Sequence, residues 1–165
     1  MFKNCSDDSI FDDFEAKYQN KIFGAYPHIS KFSIICNTTE QYLEYKDVPK
    51  IDNVESDTFC YAIKNVDKRI TPFIIFSPCL CAKLDLSVME KYAAIAHEVG
   101  HIVHYFNASL NGACNLIHEI KADEIVARLF LANQLSSLLH KLIESGLYTK
   151  YQINIMLKRI DLLNR

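Results

Sequence analysis

A chain of 165 residues, 50% of them apolar and 23% charged, has the size and composition of one globular domain spanning 1–165 with its own core. The net charge is -2 and the lysines and arginines are scattered, so the basic stripe of a nucleic-acid binder is missing. No apolar run approaches the roughly 20 residues that cross a bilayer, and the start at Met1-Phe2-Lys3-Asn4 lacks the pattern of a secretion signal, so a soluble cytoplasmic protein with no membrane partner is expected.

Residues 9 to 23 place Ile10, Phe11, Phe14, Tyr18 and Ile22 at helical spacing, with acidic residues at the front where the helix dipole favours them. Three β-rich runs follow, Phe32–Cys36, Phe59–Ile63 and Ile70–Phe76, separated by turn formers at Asn37, Asn53 and Asn65-Val66-Asp67-Lys68. The last two runs read as a hairpin. Pro72 cannot donate to a ladder, which puts Ile70–Phe76 at an exposed sheet edge or delays its pairing until after the proline. Such an edge would accept an extended peptide.

From Ser87 the periodicity turns helical, opened by a capping box of Ser87 and Glu90. This helix is expected to reach about Tyr105 and to break at Asn107, Asn111 and Gly112. A second helix is expected from about Leu116 to Leu135, with one or two more between Ser136 and Leu163 split near Gly146. The order of an N-terminal helix, a small mixed sheet and then helices is that of an α+β domain.

His97-Glu98-Val99-Gly100-His101 is an H-E-x-x-H motif inside the helix that begins at Ser87. Residues four apart project from one face, so two imidazoles can hold one zinc ion. Glu98, one position round, can take a proton from a water on that zinc and serve as general base. A catalytic zinc needs a third protein ligand. The metzincin pattern does not supply it, because His104 stands at its glycine position and Asn107 at its last histidine.

The next helix offers three acids. Glu119 and Asp123 share a face that continues through Val126 and Phe130 toward the core, whereas Glu124 shares the opposite face with Lys121 and Arg128 and reads as a solvated ion-pair residue. Acids on a core face are costly unless paired or bound to metal. Glu119 is therefore the economical third ligand, with Asp123 one turn on accepting the N–H of a ligand histidine.

With these residues the chain resembles the gluzincin peptidases, the thermolysin-like clan, whose signature is H-E-x-x-H followed by E-x-x-x-D on a second helix. The resemblance runs from Ile70 to roughly Leu131 and includes the E-x-x-A-D variant at Glu119 to Asp123. It implies a zincin-like core with an edge strand before the active-site helix. It also implies His97, His101 and Glu119 as zinc ligands, Glu98 as base, and Asp123 behind a ligand histidine. The 17 residues between His101 and Glu119 and the chain length also look like the ImmA/IrrE family of repressor-cleaving peptidases. Asp123 departs from that family's usual E-x-x-A-N ending, and minimal gluzincins are an equally good comparison.

The expected activity is zinc-dependent endopeptidase action on a peptide or protein substrate. The alternative is a non-catalytic, zinc-stabilised binding or regulatory module. A carboxylate-bridged di-iron protein would need a second E-x-x-H, which the chain lacks. His104 is read as a packing residue and His118 as a helix-start residue. A donor to the developing oxyanion could come from Tyr105, His140, Tyr148 or Tyr151. The six cysteines are expected to be free thiols in a reducing compartment. Cys79-Leu80-Cys81 is read as part of a buried loop, the other reading being a thiolate that reaches the metal and holds the enzyme latent.

Overall fold

In the computed structural model, which describes residues 2–4, 9–39, 59–66, 69–106 and 115–165, the five apolar positions of the first helix are all buried along α1 (Ile10–Ala25). Asp12 and Asp13 sit in its first turn. The chain packs as two compact units, Met1–Lys83 and Leu84–Arg165.

The first unit contains α1, a 3-10 turn (Pro27–Lys31) and a mixed four-stranded sheet in the order β1-β2-β4-β3. The strands are β1 (Phe2–Asn4), β2 (Ile34–Thr38), β3 (Cys60–Val66) and β4 (Arg69–Phe76). β2 pairs parallel with β1 and β4, and β3 with β4 forms the expected hairpin, running antiparallel from Cys60↔Ile75 to Val66↔Arg69. Phe11 and Phe59 both meet Phe76 edge to face, with centroids 5.7 and 5.4 Å away.

Ile70–Phe76 is not an edge strand. It lies inside the sheet between β2 and β3, and Pro72 is accommodated because β2 pairs only from Phe73 onward, through Ile35↔Phe73 to Thr38↔Phe76. The missing N–H thus falls outside that ladder. The outer strands are β1 and β3. Three other boundaries differ. Asn65 and Val66, expected as turn formers, are the last residues of β3 and pair with Ile70 and Arg69. Asn37 is not a turn but a fully buried residue of β2, which begins two residues later than the apolar run. Cys79-Leu80-Cys81, expected as a buried loop, lies instead in a short helix α2 (Pro78–Lys83), with Cys81 buried and Cys79 exposed. Cys36, Cys79 and Cys81 are free thiols. The turn at Asn53, the residues Asp67 and Lys68, the break at Asn107, Asn111 and Gly112, and Cys5 and Cys114 lie outside the described residues.

The second unit is helical: α3 (Val88–Tyr105), α4 (Asn115–Arg128), α5 (Ala132–Glu144) and α6 (Lys150–Leu163). α3 packs on α4 and α5, and α6 on α4 and α5. Almost every residue of α3 from Tyr92 to Val103 is buried, as expected of a helix that is apolar nearly all round. The expected helix to Leu135 stops early. Phe130 adopts a left-handed conformation (φ 62°), and the N–H groups of Phe130 and Leu131 bond back to the carbonyls of Ala127 and Val126. This is a Schellman closure with phenylalanine where glycine is usual. Phe130 is 81% exposed and does not continue the core face of Glu119 and Asp123.

The capping box of α3 forms as expected, and its glutamate does more than cap. The Glu90 carboxylate accepts from the Ser87 backbone N–H at 2.7 Å, from Ser137 Oγ at 2.7 Å and from Lys141 Nζ at 2.9 Å, so it joins α3 to α5. Burial alone would raise its pKa, but the bonds from Lys141, Ser137 and Ser87 outweigh this and lower it to about 2. A carboxylate depressed in the folded state stabilises above its unfolded value near 4.5, and that stability is lost as pH falls toward 2. Urea unfolding should therefore lose on the order of 3 kcal/mol between pH 5 and 2 through this residue. Glu90→Gln should remove that part of the acid dependence; an unchanged pH profile would mean that Glu90 is not the group responsible.

Candidate metal centre

The distance between α3 and α4 is set by two small residues. A Cβ built on Gly100 would lie 2.4 Å from the carbonyl oxygen of Ala122 and 2.7 Å from its Cα, so the two backbones touch there and only glycine fits. His97 and His101 stand three before and one after Gly100. Glu119 and Asp123 stand three before and one after Ala122. The contact therefore carries the four side chains to the same junction.

Among the described residues, His97, His101 and Glu119 form a group whose ligand atoms lie within 4.8 Å of one another, and no cysteine belongs to it. His97 Nε2 is 3.0 Å from His101 Nε2 and 3.2 Å from Glu119 Oε2, and His101 Nε2 is 3.4 Å from Glu119 Oε1. In a tetrahedron with zinc–ligand bonds of about 2.0 to 2.1 Å, neighbouring donor atoms stand roughly 3.3 Å apart. The donor set and its spacing fit zinc.

Asp123 lies where the helical wheel put it. Its Oδ1 accepts from His97 Nδ1 at 2.7 Å, which fixes the ring and turns Nε2 toward the other two donors. Glu98, at the adjoining position of α3, is buried with 7% of its surface exposed. Glu124 pairs with Lys121 on the solvent side, as expected.

Sequence reasoning missed Arg159. This residue of α6 is 6% exposed, and its guanidinium reaches the centre from a third helix. Nε donates to Asp123 Oδ2 and Nη2 to Asp123 Oδ1, both at 2.8 Å, while Nη1 donates to Glu119 Oε2 at 2.6 Å. Nη2 also lies against the His97 ring, 3.2 Å from Nδ1 and 3.4 Å from Nε2. The only hint in the sequence is an arginine beside Ile160 and three residues after Met156, both of which are buried. Of the four residues considered as oxyanion donors, Tyr105 is 54% and Tyr151 63% exposed, and His140 is exposed as well. His104 is half-buried, and burial lowers its pKa.

These contacts set the charge of the centre. Burial opposes ionisation of Glu119 and Asp123, yet hydrogen bonds and the charges of His97 and Arg159 hold both well below the usual carboxylate range, with His101 adding a further bond to Glu119. Burial and Arg159 oppose protonation of His97, but its bonds to Asp123 and Glu119 prevail and raise its pKa to about 9. Compared with known proteins, the chain matches no family model, no curated protein and no solved structure.

Proposed function

We propose that this protein is a zinc-dependent endopeptidase of gluzincin type, in which His97, His101 and Glu119 hold the metal and Glu98 is the general base. The observation that carries this reading is the convergence of two imidazoles and one carboxylate at tetrahedral spacing, with a buried glutamate next to one ligand. We read α3 and α4, touching at Gly100 and Ala122, as the paired helices of a zincin-like core.

When bound, zinc supplies Lewis-acid polarisation of a carbonyl and lowers the pKa of a water at its open position. The Glu98 carboxylate would accept a proton from the attacking water and give it to the leaving amine nitrogen as the C–N bond breaks. Asp123 would hold His97 in the tautomer that leaves Nε2, the atom beside His101 and Glu119, free to ligate. We place the activity in the cytoplasm, a reducing compartment in which the cysteines of the chain would stay as thiols. A module holding zinc for stability alone would have no use for Glu98 at its position, and the ion pairs of Arg159 already join α4 to α6.

The test compares the purified protein with Glu119→Ala, measuring zinc per chain and cleavage of an unstructured protein after zinc loading. One zinc per chain and cleavage are expected for the parent, and little of either for the variant. A parent that takes up no zinc at neutral pH would reduce the motif to a coincidence. A parent that binds zinc and cuts nothing would leave the non-catalytic module.

A further inference from the structure

The contacts of Arg159 reach two of the three candidate ligands through one planar group. The Nε/Nη2 edge forks onto Asp123, and Asp123 in turn holds His97 Nδ1 at 2.7 Å. Nη1 engages Glu119 directly at 2.6 Å, and it does so on Oε2. The arginine side chain is 7% exposed, so little water competes for these bonds. A guanidinium presents its donors in a fixed plane, and two carboxylates bonded to it are fixed in direction as well as charge; a lysine ammonium would supply charge without the fork.

We propose that Arg159 is a positioning residue of the metal centre, holding Glu119 Oε2 so that Glu119 meets the metal through Oε1 alone. The inference rests on the metal-centre reading above. Both oxygens stand at ligand-to-ligand spacing, Oε1 3.4 Å from His101 Nε2 and Oε2 3.2 Å from His97 Nε2, but Oε2 already accepts from Arg159 Nη1 at 2.6 Å, which leaves Oε1 as the oxygen not held by the guanidinium. With its partner oxygen bonded to a buried cation, Glu119 takes one coordination position instead of two. The fourth position of the tetrahedron then stays open for water, which is what distinguishes a catalytic zinc site from a closed one. Without the clamp, a carboxylate is free to chelate through both oxygens and raise the coordination number to five.

The experiment measures zinc affinity by chelator competition, the visible spectrum of the cobalt(II)-loaded protein, and the melting temperature of the metal-free protein, for the parent, Arg159→Lys and Arg159→Met. The parent should show the intense visible bands of four-coordinate cobalt. Arg159→Lys, which keeps the buried charge, should bind zinc about 10 to 100-fold more weakly and show the weaker bands of a five-coordinate ion. A merely structural arginine would lower the melting temperature of both variants and leave the affinity and cobalt spectrum of the folded protein at parental values; that result overturns the proposal. Weakened affinity with an unchanged cobalt spectrum overturns the one-oxygen assignment. If neither variant folds, the parent decides: weak bands refute the clamp, intense bands support it. A parent that binds neither ion overturns the metal-centre reading and this inference with it, whereas normal binding in Arg159→Lys overturns this inference alone.

Discussion

Glu98→Gln should lower the rate of peptide-bond hydrolysis by about 10² to 10⁴-fold, the range over which a positioned general base acts. Zinc content and melting temperature should stay near those of the parent. Glutamine has nearly the same shape as glutamate but has no basic oxygen to take the proton, so the change isolates proton transfer from packing. Glu98 lies outside the group of three ligand atoms, which is why metal should be retained. Its charge does contribute to the field that stabilises the Arg159 cation, but Asp123 and Glu119 contribute ahead of it. The measurement is kcat/KM on an unstructured protein, with zinc per chain and a thermal scan on the same preparations. Undiminished cleavage would assign the base to another residue; cleavage lost together with zinc would mean that Glu98 holds the ion in place.

The parts of this centre that were legible in the sequence are those governed by one helix at a time. Spacing of four put His97 and His101 on one face, and the wheel of the following helix separated Glu119 and Asp123 from Glu124. The capping box at Ser87 and Glu90 was equally local, and it forms in full. The parts that were not legible depend on what lies across from a residue. Pro72 left two readings open, an edge strand or pairing that starts after the proline; the second holds, on the β2 side alone, and which side it is depends on β2 rather than on β4. The stop after Arg128 carries no glycine or proline, because Phe130 itself takes the left-handed conformation. Arg159 looks like an ordinary helix cation, next to Lys158, until Asp123 and Glu119 are placed opposite it. Glu90 was visible as a cap, but its bonds to Ser137 and Lys141 belong to the packing of α3 on α5.

Gly100→Ala should be the most damaging addition of a single methyl group near the centre. On helix propensity alone it ought to stabilise α3 by about 1 kcal/mol. The added Cβ, however, would stand 2.4 Å from the Ala122 oxygen and 2.8 Å from its carbonyl carbon, and these are backbone atoms that no side-chain rotation can move. The helices must part or tilt, and overpacking of this kind costs about 1 to 3 kcal/mol. The larger consequence falls on the metal. His97 and His101 move with one helix, Glu119 and Asp123 with the other, and donor spacings of 3.0 to 3.4 Å leave no room for a separation of an ångström. Zinc affinity should fall by tenfold or more, which at about 1.4 kcal/mol per decade is a modest strain on three bonds. Gly24→Ala provides the control, since it lies in α1 with nothing within 4 Å of the new Cβ and should show the propensity gain alone. Chelator competition and urea unfolding on both variants separate the effects. A Gly100→Ala protein that binds zinc like the parent and unfolds no earlier would mean that the spacing of the ligands is set somewhere other than the touch of Gly100 on Ala122.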